Sequence, residues 1–247
     1  MSEKLGIDIN KNPYFLNLGN IRTRVNTDVN NNSTFYTFKR KLKSAFRYSE
    51  LSFGAPFLSS LITDVHKGIK NNFLLYEAVI SVLGADAIVD SSKDYLKAVD
   101  LYKNAPEKVR IILLIRDGRA VFFSGLKRNF SYKKSLNSWK NLYTRALPLI
   151  RKHVAPEHVL QIRYEDLVND IHYELAKICE FVGFHFEKEM IDFTRKTHHI
   201  TAGNDIRFCK SSAIRKPDML WKEKMTKEDL KYFEKKAGTL NQAFGYH

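Results

Sequence analysis

One stretch of the chain places two arginines and a serine where they can bind an anion. The apolar run VRIILLI at 109–115 stops at Arg116, and Ser124 follows eight residues later. A buried strand that ends in a glycine-containing turn and then a helix presents backbone N–H groups and Arg116 at the strand end, where open α/β sheets bind ligands. Arg119 adds a second positive charge. The alternative is a surface turn whose arginines pair with neighbouring acids.

A second polar cluster is DSSK at 90–93, which ends the short apolar run AIVD. If that run is a strand of the same sheet, Ser91, Ser92 and Lys93 lie at the same edge as Arg116. These side chains would then offer hydroxyl groups and a positive charge to the same ligand. The alternative is that one serine caps a helix and that Lys93 is solvated.

A third cluster, RYEDLV at 163–168, adds an aromatic ring and two carboxylates. Tyr164 offers a face for a nucleobase, whereas Glu165 and Asp166 favour a helix N-terminus. Taken alone, this segment fits a capping sequence with a core tyrosine.

The elements that position these clusters follow from the apolar pattern. The runs at 109–115 and 159–164 predict buried strands, and the pattern over 133–152 predicts a long helix. A later helix closes near Gly183, and the last one begins near an N-cap at Thr226. The apolar stripe of that last helix comprises Leu230, Phe233, Ala237, Leu240 and Phe244. Short strands that alternate with helices indicate an α/β fold of three layers, with a mainly parallel sheet flanked by helices.

Composition and charge exclude other classes of protein. Hydrophobic residues make up 44% of the 247 residues and charged residues 28%, which excludes a wholly disordered, collagen-like or coiled-coil chain. The formal net charge of +14 favours an anionic partner. Because the cations are interleaved with acids and no recognition motif is present, we expect no nucleic-acid partner.

Cysteine usage and the N-terminal residues bear on the compartment. Cys179 and Cys209 cannot build a disulfide framework or a four-cysteine zinc site, and we expect two reduced thiols, although one bridge between them can form. No carboxylate–histidine cluster has metal-binding spacing, so no metal is expected. The apolar runs are far shorter than the ~20 residues of a membrane span. The polar N-terminus MSEKLGIDINKNPYF is unlike a signal peptide, so we expect a cytoplasmic protein.

Residues 1–35 are predicted to be a polar arm or a degenerate start of the domain, and residues 36–247 are predicted to be the α/β domain.

In this order, the three clusters resemble those of the sulfotransferases that use 3′-phosphoadenylyl sulfate, in the bacterial and algal branch related to the carbohydrate sulfotransferases. In that group a strand ending in DSSK precedes an LVRDPRA…S motif, RYEDL follows, and a GNPMRF-like segment comes later. This chain has DSSK, LLIRDGRAVFFS, RYEDL and HITAGNDIRF at 199–208. Its ending AFGYH also fits the terminal GY of the family. The resemblance covers roughly residues 75–247.

The resemblance implies a P-loop-like sulfotransferase fold and 3′-phosphoadenylyl sulfate as the donor. It assigns the 3′-phosphate of the donor to Arg116 and Ser124 and places Tyr164 near the adenine. Arg207 and Arg215 would close a lid over the nucleotide. Several fixed cations suit a nucleotide with two phosphate positions, because a guanidinium binds phosphate through two parallel hydrogen bonds.

Transfer of the sulfuryl group also needs charge stabilisation and a base for the acceptor. Ser91 and Ser92 are candidate nucleotide-binding residues, and Lys93 is expected to face the transferring group or its bridging oxygen. His199 is the candidate base, with a surface histidine as the alternative. The expected partners are the nucleotide donor and a hydroxyl or amine acceptor, which is a carbohydrate or a small metabolite. The alternative function is an inactive module that binds 3′-phosphoadenosine nucleotides or an acidic glycan.

One family feature has no good counterpart. Members open with a strand, a GSGRSGTT-like loop and a helix, and that loop wraps the 5′-phosphosulfate. The best match, YFLNLGNIRTRVN at 14–26, has Gly19, Arg22 and Thr23 on the family's letters but Arg24 in place of the second glycine. A side chain there would crowd the backbone nest. We therefore expect a domain that is incomplete at its N-terminus, in which nucleotide binding can survive without turnover.

Overall fold

The computed structural model describes residues 33–54, 63–192 and 219–247. The chain divides into two compact units, Met1–Asn104 and Ala105–His247. The predicted boundary at residue 35 stays a prediction.

The first unit is helical in its described part. Its helices are α1 (Ser33–Phe53), α2 (Thr63–Leu83) and α3 (Tyr95–Asn104). Asp100 on α3 is only 3% exposed, and Nε of Arg47 on α1 donates to its two carboxylate oxygens at 3.0 and 3.1 Å. A buried carboxylate needs such a partner, so this pair fixes α1 against α3.

The predicted strand at 87–90 is wrong. These residues have no regular structure, and Val89 is 90% exposed. The carboxylate of Asp90 is hydrogen bonded to Tyr76 on α2 and to Lys97 on α3. The segment therefore follows the two helices, and a run of three apolar residues is too short to form a strand without a partner strand.

The second unit carries the sheet. Its larger elements are β1 (Ile111–Ile115), α4 (Gly118–Lys127), α5 (Tyr132–His153), β2 (Val159–Arg163), α6 (Tyr164–Asn169), α7 (Ile171–Val182), α8 (Leu220–Lys224) and α9 (Lys227–Ala243). Two short 3₁₀ turns span Pro156–His158 and Lys188–Ile191. The strands are parallel and pair from Ile111 with Val159 to Ile115 with Arg163. The α/β class and the parallel sheet are therefore confirmed.

Local signals set most of the helix ends. The side chain of Thr226 accepts from the Asp229 N–H, and Asp229 returns a bond to the Thr226 N–H, which is a capping box. Gly183 ends α7 in the left-handed conformation with φ 81°. The helix predicted between Tyr164 and Gly183 is in fact two helices. Asp170 interrupts it, because its side chain accepts a hydrogen bond from the Tyr173 N–H and caps a new helix.

Aromatic side chains fill the core of the second unit. Phe122 and Phe233 are 0% exposed, and Trp139 is 3% exposed. Their neighbours in the core are Ile115, Leu136, Tyr143, Leu147, Ala237, Phe244 and Tyr246. Three members of the predicted α9 stripe, Phe233, Ala237 and Phe244, are buried, whereas Leu230 in the first turn is 37% exposed.

Gly118 lets three elements approach closely at the end of β1. A Cβ atom at this position would lie 2.7 Å from Cζ of Phe233 on α9 and 2.9 Å from the ring of Trp139 on α5. Nε1 of Trp139 also donates to the carbonyl of Arg116 at 3.0 Å. The turn that follows β1 is therefore held by side chains of both helices.

Candidate functional site

The structure brings Arg116 and Tyr164 together at the carboxyl end of the sheet. Ile115 pairs with Arg163 in the parallel register, so the residues that follow them leave neighbouring strands side by side. The guanidinium carbon of Arg116 lies 4.7 Å from the centroid of the Tyr164 ring. A cation over an aromatic face is attracted to it, so the ring orients the guanidinium.

Arg116 has no anionic partner among the residues that the structure describes. Its Nε is buried and has no hydrogen-bond partner there. A buried donor without an acceptor costs free energy, and most such groups in folded proteins are paired. The unpaired guanidinium is therefore the feature of this edge that could hold an anion.

Arg119 behaves differently. Its guanidinium donates to the Asp117 carboxylate, with the shortest distance 2.9 Å, and to the carbonyl of His247 at 3.1 Å. It also lies 4.4 Å from the Trp221 ring centroid. The alternative, in which these arginines pair with neighbouring acids, holds for Arg119, whereas no described acid pairs with Arg116.

Three backbone N–H groups around the start of α4 donate to side chains. The Gly118 N–H donates to Oδ1 of Asn241 at 2.8 Å, and the Arg119 N–H donates to Oδ1 of Asp117 at 2.9 Å. The Asp117 N–H donates to Oε1 of Glu165 at 3.2 Å. These three N–H groups therefore already have acceptors within the protein, and an anion bound here by backbone donors stays a prediction.

The C-terminal segment packs against the same edge. Oε2 of Glu165 accepts a hydrogen bond from the Tyr246 hydroxyl at 2.5 Å, and the Arg163 guanidinium lies 4.4 Å from the centroid of the Tyr246 ring. Burial and the bond to Glu165 raise the pKa of Tyr246 well above its ordinary value. The RYEDL segment and the terminal GY thus form one scaffold around the Arg116 turn.

Sequence reasoning missed Asn241 and the scaffold role of Glu165. Asn241 is 1% exposed and lies four residues after Ala237 and three before Phe244, on the apolar face of α9. A polar residue inside an apolar stripe was the available signal, because buried amides in folded proteins have hydrogen-bond partners.

Ser124 lies at the end of the second turn of α4 and is half-buried. Its hydroxyl has no hydrogen-bond partner among the described residues. The structure gives no contact between this hydroxyl and Arg116. A shared anion at the two side chains therefore stays a prediction.

The DSSK cluster lies in the irregular segment between α2 and α3 of the first unit. The Ser92 N–H donates to Oδ1 of Asp90 at 2.9 Å. Ser91 and Lys93 are exposed, and Lys93 has a left-handed backbone with φ 61°. The cluster is thus a loop anchored through Asp90.

Three predicted site residues, His199, Arg207 and Arg215, lie outside the described residues, as do Cys209 and the segment 14–26. Cys179 is buried with a free thiol. In the described ranges, no three His, Cys, Asp or Glu side chains are grouped as a metal site would require. None of the helices described has the length and apolar character needed to cross a membrane.

Comparison with known proteins identifies the family. The model of the sulfotransferase family matches residues 34–188, more than half of the chain. A solved structure, the sulfotransferase domain from the curacin biosynthetic pathway, is similar with 17% identity and a TM-score of 0.47, over 81% of this chain and 77% of that one. No curated protein matches this chain. On the extent of the family match, the chain belongs to the sulfotransferase family.

Proposed function

We propose that the chain transfers a sulfuryl group from 3′-phosphoadenylyl sulfate to a hydroxyl or amine of a carbohydrate or small metabolite. The observation that carries the proposal is the Arg116 guanidinium, which lies 4.7 Å from the centroid of the Tyr164 ring and whose buried Nε has no partner in the described residues. A guanidinium of fixed orientation suits a phosphate dianion, because it donates two parallel hydrogen bonds to it. In this proposal Arg116 binds the 3′-phosphate, and Tyr164 orients Arg116 beside the adenine.

In the proposed reaction the acceptor oxygen or nitrogen forms a bond to sulfur while the bond from sulfur to the bridging phosphate oxygen breaks. The electron pair of that bond stays on 3′-phosphoadenosine 5′-phosphate, and the acceptor proton passes to a base. Lys93 is proposed to stabilise the charge that develops on the bridging oxygen. His199 is proposed as the base. The remaining proposed nucleotide-binding residues are Ser91, Ser92, Ser124, Arg207 and Arg215.

Calorimetric titration with two nucleotides tests the role of Arg116. 3′-Phosphoadenosine 5′-phosphate and adenosine 5′-phosphate differ by the 3′-phosphate, so the ratio of their Kd values isolates the contacts to that group. We expect the wild type to prefer the first nucleotide. Arg116→Ala should lower that preference about tenfold to a hundredfold, as for a charged hydrogen bond.

Arg110 provides a matched control at the other end of the same strand. It lies just before β1, and among the described residues its guanidinium donates only to the carbonyls of Pro106, Glu107 and Val109. Arg110→Ala removes the same charge from the protein and should leave the nucleotide preference unchanged. If the two variants lose the same share of the preference for the 3′-phosphorylated nucleotide, that preference reflects overall charge and not the proposed contact.

Turnover distinguishes the proposed enzyme from the alternative function. The protein is incubated with 3′-phosphoadenylyl sulfate and a panel of phenols, sugars and amines, and release of 3′-phosphoadenosine 5′-phosphate is followed by chromatography. Tight nucleotide binding without release in any mixture would favour an inactive binding module. No binding of either 3′-phosphorylated nucleotide by the folded protein would contradict the proposed enzyme and an inactive module that binds these nucleotides.

A further inference from the structure

The peptide group that follows Arg116 is bonded at both of its polar atoms to side chains from other elements. Nε1 of Trp139 on α5 donates to the Arg116 carbonyl at 3.0 Å. The N–H of the same peptide group, which belongs to Asp117, donates to Oε1 of Glu165 on α6 at 3.2 Å. A planar peptide group with both polar atoms bonded has little freedom to rotate, so the direction in which the Arg116 side chain leaves the backbone is fixed.

Glu165 and Tyr164 are consecutive residues of α6, and they restrain Arg116 in different ways. The Tyr164 ring holds the side chain, because its centroid lies 4.7 Å from the guanidinium carbon of Arg116. Glu165 holds the backbone through its bond to the Asp117 N–H. One helix start therefore restrains both the main chain and the side chain of the same arginine.

The carboxylate of Glu165 is itself held in place by the C-terminal segment. Its Oε2 atom accepts a hydrogen bond from the hydroxyl of Tyr246, which is only 5% exposed. That hydroxyl also lies 3.4 Å from the carbonyl oxygen of Ile115, the residue before Arg116. Because each oxygen of the Glu165 carboxylate accepts a hydrogen bond, its side chain keeps one orientation.

The negative charge of Glu165 acts against a bound anion. Two negative charges repel each other, and this carboxylate is bonded to the peptide group next to the unpaired guanidinium of Arg116. If charge were its only effect, removal of the carboxylate would strengthen the binding of an anion at Arg116. A role in positioning Arg116 predicts weaker binding instead, so the two effects have opposite signs.

We propose that Glu165 is a positioning residue for Arg116 and that it increases the selectivity of the chain for nucleotides with a 3′-phosphate. Glu165 fixes the peptide group after Arg116, so the guanidinium loses less conformational entropy when it binds that phosphate. The inference rests on the proposed function, since it requires that Arg116 binds the 3′-phosphate. The residues involved all belong to the second unit, Ala105–His247.

Calorimetric titration with 3′-phosphoadenosine 5′-phosphate and adenosine 5′-phosphate tests the inference. The ratio of the two Kd values reports on contacts to the 3′-phosphate, and a merely structural change would weaken both nucleotides equally. We expect Glu165→Ala to lower the preference for the 3′-phosphorylated nucleotide about threefold to tenfold. Glu165→Gln should keep most of the preference, because its amide oxygen can still accept from the Asp117 N–H. In the Arg116→Ala background, Glu165→Ala should have no further effect on the ratio.

Asp166 provides the matched control for charge. It is the next residue of α6, it is exposed, and among the described residues its carboxylate meets only Nε of Arg163, at 4.0 Å. Asp166→Ala removes the same charge from the same helical turn without touching the peptide group after Arg116. It should leave the preference for the 3′-phosphorylated nucleotide unchanged or raise it slightly.

Tyr246→Phe provides a milder second variant if Glu165→Ala does not fold, which thermal melting determines. It removes the hydroxyl that orients the Glu165 carboxylate and keeps the ring. We expect it to lower the preference about twofold to threefold. Tyr173→Phe removes the hydroxyl of a tyrosine that is 64% exposed and should have no effect.

The outcomes separate this inference from the proposed function. If the wild type binds neither nucleotide, or binds both equally, the proposed function fails and this inference fails with it. If Arg116→Ala abolishes the preference while folded Glu165→Ala leaves it unchanged or raises it, the proposed function stands and the positioning role is rejected. An equal loss from Glu165→Ala with and without Arg116 rejects it as well. If Glu165→Ala is unfolded, an unchanged ratio in Tyr246→Phe overturns the inference.

Discussion

Asn241 and Gly118 are joined by a buried hydrogen bond that ties the C-terminal helix to the turn after β1. The Gly118 N–H donates to Oδ1 of Asn241 at 2.8 Å, and Nδ2 of Asn241 donates to Oδ1 of Asp117 at 3.2 Å. In the LVRDPRA motif that this segment resembles, proline stands at the position of Gly118, and proline has no N–H to donate. The bond to Asn241 therefore requires a residue other than proline at position 118, where this chain has glycine.

Removing the amide of Asn241 should destabilise the protein. Asn241→Ala leaves the buried Gly118 N–H without an acceptor, so the free energy of unfolding should fall by about 1–3 kcal/mol. Urea denaturation measures the change. Asn141→Ala, at an exposed position on α5, is the control and should change the stability by less than about 0.5 kcal/mol. Equal effects of the two substitutions would mean that the buried bond contributes nothing.

Adding a methyl group at Gly118 should also destabilise the protein. The new Cβ would lie 2.7 Å from Cζ of Phe233 and 2.9 Å from the Trp139 ring, and both rings are buried. Because neither ring has room to move, Gly118→Ala should cost about 1–3 kcal/mol, measured by thermal denaturation.

Gly238 on α9 is the matched control for that substitution. A Cβ there would meet the carboxylate of Glu234, whose side chain is 42% exposed and can rotate away. Because alanine favours a helix interior over glycine, Gly238→Ala should raise the stability by up to about 1 kcal/mol. A loss of stability in both variants would contradict the close-approach argument at Gly118.

The features that sequence predicted well depend on local patterns. The apolar runs at 109–115 and 159–164 predicted both strands. The capping residue Thr226 predicted the start of α9, and Gly183 predicted the end of α7. The contact between Arg116 and Tyr164 was not predicted, but it has a general reason, because parallel strands end at the same edge of a sheet.

The features that sequence missed depend on partners far away in the chain. The run at 87–90 has strand-forming residues, but hydrogen bonds from two helices to Asp90 decide its path. The amides at the start of α4 were expected to be free, yet Asn241 and Glu165 occupy two of them from 123 and 48 residues away. Local periodicity does not reveal such pairings, so the sequence could not show that these backbone donors have acceptors.

The stability of the protein at acidic pH should depend on the ionisation of Asp90. Burial alone would raise its pKa, but hydrogen bonds from Lys97, Tyr76 and Ser92 lower the pKa in the folded protein, so the folded state binds a proton there less readily than the unfolded chain does. This stabilisation is present at neutral pH and is lost as the pH falls below the ordinary value of 3.8. The stability difference between wild type and Asp90→Asn should therefore shrink below about pH 4.

Asp86→Asn is the control for that measurement. Asp86 is exposed and makes no ion pair with the described residues, so Asp86→Asn should have the same thermal stability as the wild type at every pH measured. Thermal melting between pH 3 and 7 measures both variants. A difference for Asp90→Asn that stays constant over this range would mean that the network does not favour the ionised carboxylate.

The stability of the protein at alkaline pH should depend on the ionisation of Tyr246. Burial, together with the hydrogen bond to Glu165, raises its pKa in the folded protein above the ordinary value of 10.0. Above about pH 10 the unfolded chain loses this proton while the folded protein keeps it, so stability falls as the pH rises. Tyr246→Phe lacks the ionising group and should lose less stability there. The variant should be about 1 kcal/mol less stable than wild type at pH 8, because Glu165 loses a donor.

The difference in the free energy of unfolding between wild type and Tyr246→Phe, measured by urea denaturation, should therefore decrease from pH 8 to pH 11. Tyr173→Phe, which removes a hydroxyl that is already in contact with solvent, should show no gap at either pH. The same experiment checks the scaffold around Arg116, because the Tyr246 hydroxyl is bonded to the carboxylate that accepts from the Asp117 N–H. A gap of constant size up to pH 11 would show that the hydroxyl ionises equally in both states and that the terminal GY segment does not bury it.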